Sequence, residues 1–237
     1  MTAMGPTPRI GTERDSEQAA TTRRYDRNAF LYDLYDQPMD LLGGVRRRRR
    51  RMLAHARGRV LEVGVGTGRN LDLYPVGIEL TAIDVSDRML TRAQRRARRL
   101  GMPPIVFEQA DIGWLPYLDA TFDTIVATCV FCSVADPIAG LAELVRVVRH
   151  DGEVLLVEHV RPRSRILGRL ADRLNPVIVR LIGANINRHT EDNVFAAGLE
   201  VLDVRRGGVW REIRAGSPIG GTAYEPAPTP QNKETLR

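Results

Sequence analysis

Apolar residues along the 237-residue chain change their period in a regular order. Runs of strand length fall at 59–63, 79–84, 105–109, 122–128 and 153–160, with helical spacing in the stretches between them. Pro137–Val148 shows the helical pattern plainly, since Leu141, Leu144, Val145 and Val148 share one face. Strand alternating with helix predicts an α/β fold around a mostly parallel sheet. A helix near 190–197 and two more strands, 199–205 and 209–214, bring the expected sheet to seven strands. Residues 164–183 form a helical insertion after strand five. Its Ile166, Leu167, Leu170, Leu174, Val177, Ile178, Leu181 and Ile182 recur at helical spacing, with Arg165, Arg169, Arg173 and Arg180 between them. Pro176 should break or kink this insertion into two helices. Upstream, residues 22–57 read as helical, with Tyr25, Ala29, Tyr32 and Leu34 near one face.

Composition narrows this picture. Polar residues and prolines in residues 1–20, and Pro218, Pro226, Pro228 and Pro230 near the other end, predict disordered tails at 1–20 and 216–237 around one domain, 21–215. The first twenty residues do not read as a secretory leader, and no apolar run approaches the length of a bilayer span, so a cytoplasmic protein is expected. The net charge of +6 and isoelectric point near 9.9 come mostly from arginine. Six arginines in a row, Arg46–Arg51, wrap every face of a helix and make a charge band rather than a groove. They suit a solvated helix end, an acidic partner or an anionic membrane surface, and nucleic acid least. The two cysteines, Cys129 and Cys132, make no disulfide framework, and their C-x-x-C rides on an apolar strand end rather than at a helix N-terminus. Inert, buried cysteines are the simpler reading, although Cys132 stands where strand-four ends face a ligand pocket. His55, His150, His159 and His189 show no metal-ligand spacing, and no metal is expected.

The most specific signal is Val60-Leu61-Glu62-Val63-Gly64-Val65-Gly66-Thr67-Gly68, followed about twenty residues later by Ile83-Asp84-Val85-Ser86. An apolar strand opens into a glycine turn, and the next strand ends in a carboxylate. Doubly wound sheets hold adenosine-bearing cofactors in this way, at the carboxyl ends of their strands. A dinucleotide fingerprint needs its third glycine at relative position six, which is Arg69 here; the third glycine comes one residue early, at Gly68. A cofactor without pyrophosphate needs backbone that approaches closely rather than a helix N-terminus cleared for phosphate. Asp84 has the geometry to accept both ribose hydroxyls, with Ser86 better placed to cap the next helix. At Asp111-Ile112, a carboxylate can accept from an adenine amino group while the aliphatic neighbour covers the ring.

The E-x-G-x-G-x-G pattern resembles motif I of the class I S-adenosylmethionine (SAM) methyltransferases. From about Tyr25 to Arg214 the chain is similar to the small menaquinone/ubiquinone C-methyltransferases and bacterial phosphatidylethanolamine N-methyltransferases. The matching segments are Tyr25-Asp26…Tyr32-Asp33, LEVGVGTGRNL, AIDVSDRML, Asp111, FDTIVAT and GEVLLVEHV. Val130–Val134 and Glu158-His159-Val160 look closer to a subgroup with thiol S-methyltransferases. The resemblance implies a Rossmann-like, doubly wound sheet with SAM contacts at Gly64, Gly66, Gly68, Asp84, Val85, Asp111 and Ile112, Glu62 orienting the glycine loop from behind, and Thr128 at the end of strand four. The usual Pro-Gly-Gly turn before strand five is replaced by Arg149-His150-Asp151-Gly152.

Other methyl-transfer chemistries lack their residues. A base-flipping amino-methyltransferase would carry Asn/Asp-Pro-Pro-aromatic after strand four, where this chain has Thr128-Cys129-Val130-Phe131. A cytosine C5 enzyme would need a Pro-Cys nucleophile. A small, fairly apolar or lipid-like acceptor is therefore expected, with a thiol sulfur favoured over a phospholipid amine or a quinone ring carbon; a sensor that binds SAM without turnover is the non-enzyme alternative. Arg188 and His189 can supply a field that favours thiolate, and His159 can accept the proton. Tyr25 and Tyr32, two helical turns apart, can fold over the cofactor mouth. The 164–183 insertion is the expected lid, its apolar face covering a greasy acceptor or lying on a membrane.

Overall fold

The computed structural model describes residues 44–217. Its helix α1 (Val45–Leu53) leads into strand β1 (Arg59–Val63), a 3-10 turn (Leu71–Leu73), β2 (Glu79–Asp84), α2 (Asp87–Arg99), β3 (Val106–Gln109), β4 (Phe122–Thr128), α3 (Pro137–Val147), β5 (Val148–His159), α4 (Arg165–Ile182), α5 (Thr190–Ala196), β6 (Glu200–Gly207) and β7 (Trp210–Gly216). The seven strands form one sheet in the order β3-β2-β1-β4-β5-β7-β6. Only β7 runs against the rest, paired antiparallel to both β5 and β6. This is the expected doubly wound, mostly parallel sheet, and its strand order reverses between β1 and β4.

Burial on both faces explains why the central strands read as continuous apolar runs. Leu61, Val63, Ile125, Ala127, Val154 and Leu156 face Leu141 and Leu144 of α3 and Val194 of α5. Their neighbours Val60, Val126, Leu155 and Val157 face Val45, Met52 and Leu53 of α1. Helix starts follow local capping. The Ser86 side chain accepts from the Met89 N–H at α2, as expected, and Asp136 accepts from the Ala139 N–H ahead of Pro137 at α3.

Three expectations are corrected. Pro176 does not divide the insertion, because α4 runs unbroken through it. Proline removes one N–H, and the residue whose carbonyl loses that partner, Asp172, is exposed rather than in a core, where water can replace the bond. β5 begins at Val148, where a strand had been expected only from 153, because Val148 pairs with Phe122 ahead of a register shift. The helix expected to run to residue 57 stops at Leu53; Gly58, in a left-handed conformation, turns the chain into β1, where the Arg59 N–H donates to Asp123. Tyr25, Ala29, Tyr32, Leu34 and both expected tails lie outside the described residues.

The arginine band is taken apart by long-range pairing. Arg46 bonds Asp72, Arg51 makes a bidentate pair with Glu212, and Arg49 is buried. Arg47 and Arg50 are the exposed members. The run mainly docks α1 onto the sheet.

Candidate active site

At the reversal between β1 and β4 the strand ends splay around a cleft of about 650 Å³, counted out to its open mouth. This is where open α/β sheets bind ligands. The wall is made by Gly64, Gly66, Ile83, Asp84, Val85, Met89, Ala110, Ile112, Thr128, Cys129, Val130, Ser133 and Val134.

Two glycines shape its floor. Gly64 has φ +66°, and a Cβ there would lie 2.6 Å from Cγ2 of Val130. Glycine is required both by conformation and by the close approach of the β4 turn. Gly66 has φ +55°, yet a Cβ there would meet nothing within 4 Å. Its vacant side therefore belongs to whatever occupies the cleft. Gly68 lies off the wall; a Cβ there would strike Leu71 and Ala93, so its role is to seat α2 against the loop.

Asp84 holds this loop as well as facing the cleft. Its Oδ2 accepts from the Gly66 N–H and its Oδ1 from the Ser86 N–H, both at 2.9 Å. An ionised carboxylate makes both bonds strong, and Asp84 itself lines the cleft. Asp111 sits off the wall. Its Oδ1 accepts from the Gly113 N–H at 2.8 Å, shaping the turn that presents Ile112 to the cleft.

Beneath the loop, Glu62 is fully buried and accepts from Asn70 Nδ2 at 2.8 Å and the Tyr74 hydroxyl at 2.9 Å. Desolvation pushes its pKa up to about 7, opposed by those two hydrogen bonds and by the nearby charge of Arg49. Asn70 also donates to Thr128 Oγ1 at 3.0 Å, tying β1, the 3-10 turn and β4 into one frame. Glu62 therefore ties β1 to Asn70 and Tyr74, just past the glycine loop, two partners that the sequence did not single out.

The turn after β4 forms the opposite wall. Cys129 takes φ +59°, a conformation that costs a non-glycine residue about 1–2 kcal/mol. Buried Glu158 holds it there, its Oε1 accepting from the N–H groups of Val130 (2.9 Å) and Phe131 (3.3 Å). Burial raises the Glu158 pKa to about 7 against the pull of those backbone donors and of Arg49. Cys132 is buried behind the wall with its thiol bonded to the Cys129 carbonyl at 3.3 Å, and burial beside Glu158 pushes its pKa well up, the state of an inert thiol. Cys129, not Cys132, reaches the cleft.

The segment following α4 clamps this turn from outside. Asn185 bonds the Cys132 carbonyl through both its backbone N–H (2.7 Å) and its side chain (2.9 Å), and Arg188 Nη2 donates to the Val134 carbonyl at 2.7 Å. Arg188 thus reaches the cleft through Val134. His159 is not on the wall. Its ring packs edge-on to Trp210, with centroids 5.6 Å apart, and burial lowers its pKa so that it is neutral at pH 7. The geometric support for His159 as a base acting directly on the acceptor is thereby lost. Tyr25 lies outside the described residues.

The profile described as "Methyltransferase domain" matches residues 61–156. A phosphatidylethanolamine N-methyltransferase of Cereibacter sphaeroides is 40% identical over 145 residues, 60% of this chain and 70% of the relative. A demethylmenaquinone methyltransferase of Deinococcus radiodurans is 32% identical over 195 residues, 77% and 79% of the two chains. The chain belongs to the class I SAM-dependent methyltransferases. A human thiol S-methyltransferase, TMT1B, is 34% identical over 113 residues, 46% of each chain. For this methyltransferase the reading as a sensor without turnover gives way to an enzyme. Its cleft fits SAM: the open side of Gly66, the carboxylate of Asp84 and the aliphatic cover of Ile112 and Met89 are what an adenosyl group without phosphates requires.

Proposed function

We propose that this methyltransferase acts on a small, fairly apolar acceptor and that the methylated atom is a thiol sulfur. The observation that carries this reading is the chemistry of the cleft wall. Apart from Asp84, whose oxygens already hold two backbone N–H groups, the lining side chains are apolar, hydroxyl or thiol. Among the described residues, none on the wall is a general base. A thiol with pKa near 8.5 offers some thiolate at neutral pH unaided, whereas an alkylammonium near 10 must first be stripped of a proton.

SAM, when bound, supplies a methyl group activated by its sulfonium. The protein's part is positioning and exclusion of water. Gly64 and Gly66 let the backbone close on the cofactor, Asp84 is the proposed ribose acceptor, and Thr128, Val130 and Val134 shape the acceptor side. Arg188, one residue behind the wall, favours an anionic acceptor. Tyr25 is the proposed cover of the mouth. We place the enzyme in the cytoplasm.

The second reading, a phospholipid amine, is favoured by the 40% identity to the phosphatidylethanolamine enzyme. Incubation with methyl-labelled SAM and a panel of an alkyl thiol, a dithiol, phosphatidylethanolamine and a demethylated quinone separates the readings. Label in an S-methyl product is expected. Label only in the lipid amine or the quinone ring overturns the thiol assignment.

A further inference from the structure

Helix α4 is attached to the rest of the fold by one narrow edge. Gly168 and Ala171 are buried along it, and Asn175 bonds the Asn185 side chain and the Ile186 N–H at 3.0 and 2.8 Å. Away from that edge, Ile166, Leu167, Leu170, Leu174 and Val177 are 43–79% exposed. At 3.6 residues per turn these five occupy an arc of about 100°. Arg165, Arg169, Arg173 and Arg180, all exposed, fall together along one border of that arc. The single acid of the helix, Asp172, is engaged by Arg161 at 2.7 Å and by Asn187.

We propose that α4 is a membrane-docking helix that seats the enzyme on an anionic phospholipid surface. An apolar stripe bordered by a row of arginines is the form in which a helix lies in the plane of a bilayer, with aliphatic side chains in the acyl boundary and guanidinium groups among phosphates. Charge decides for lipid over a second copy of the chain. Two such helices would bring arginine borders together with no acid to answer them, because Asp172 is already paired. An anionic leaflet answers all four arginines at once.

The location gives the docking a purpose. The chain leaving α4 passes directly to Asn185 and Arg188, whose hydrogen bonds fix the Cys132 and Val134 carbonyls behind the acceptor wall. A membrane on α4 therefore lies beside the acceptor side of the cleft, and an apolar acceptor can enter from the lipid phase. That last point rests on the proposed function; the docking itself does not.

The test is flotation of the full-length protein with vesicles of phosphatidylcholine alone or containing about one-third phosphatidylglycerol, at low and high salt. The wild type is expected to float with the anionic vesicles, at least tenfold more than with neutral ones, and to be released by salt. Leu170→Glu with Leu174→Glu should cut binding more than tenfold, and Arg169→Gln with Arg173→Gln severalfold. All four side chains are exposed, so an unchanged melting temperature and SAM affinity show that these variants fold. Absence of flotation by the wild type overturns the proposal. So does equal flotation by the Leu170→Glu/Leu174→Glu variant, or a wild-type dimer in light scattering that this variant abolishes. Methyl transfer to a water-soluble alkyl thiol without vesicles is measured in parallel, so that failure of the docking and failure of the acceptor assignment give different results.

Discussion

Glu158 is where stability and cofactor binding should respond together. Its carboxylate accepts two backbone N–H groups of the β4 turn from a fully buried position, and with the Cys129 N–H bond to the Val157 carbonyl it holds the turn in which Cys129 is left-handed. Glu158→Ala strands both donors at about 1–3 kcal/mol each. It also frees a backbone strain of about 1–2 kcal/mol to relax the turn. At the centre of those ranges the expected loss of stability is about 2–3 kcal/mol, with a weaker SAM affinity because Cys129 and Val130 move. Glu158→Gln keeps an acceptor oxygen and removes the titration.

The pH dependence gives a sharper signature. The folded pKa of Glu158 is raised to about 7 from an ordinary 4.5. Between those values the folded protein keeps a proton that the unfolded chain has released, so stability falls as pH rises through that window, at up to about 1.4 kcal/mol per unit. Above pH 7 the contribution is flat. Glu62 has the same sign and the same window, and it remains in the variant. Urea unfolding of wild type and Glu158→Gln at half-unit steps from pH 4.5 to 8 should show the variant with the shallower decline. Parallel curves, or Glu158→Ala binding SAM as tightly as wild type in calorimetry, would refute the role given to this residue.

Gly66→Ala should cost about 1 kcal/mol of backbone strain but at least tenfold in SAM affinity, since its methyl group would enter the cleft; Gly64→Ala, which must displace Val130, should lower the melting temperature more. Removal of residues 1–20 is expected to leave turnover intact, and removal of residues 1–36 to abolish it if Tyr25 and Tyr32 cover the mouth; full activity of the shorter enzyme in the same methyl-transfer assay would assign those tyrosines to packing.

What could be read from the sequence was local in the chain. Gly64, Gly66, Asp84, Val85, Ile112 and Thr128 all reach the cleft wall, because a strand, its turn and the next strand end are specified within short segments. The frame behind them is not local. Asn70 meets Thr128 across 58 residues, Glu158 reaches Val130 across 28, and Arg51 finds Glu212 across 161. Only the sheet order brings those pairs together, so a run of arginines reads as a surface band until its acids are in place. Asp111 is read from the sequence as a ligand carboxylate at a strand end; in the fold its Oδ1 accepts from the Gly113 N–H, a local contact that shapes the turn presenting Ile112. Pro176 reads as a break because the cost of a missing hydrogen bond depends on whether water can replace it, which only the exposed position on α4 decides.

The central claim is that the cleft between the glycine loop and the β4 turn is the SAM site, organised by Asp84. Calorimetric titration of SAM into the wild type and Asp84→Ala, with thermal unfolding of both, tests it most directly. The account predicts one-to-one binding by the wild type. In the variant the affinity should fall by about 2–4 kcal/mol, because the carboxylate, the proposed ribose acceptor, also holds the Gly66 N–H at 2.9 Å. No binding by the wild type, or equal binding by a folded Asp84→Ala variant, would contradict it.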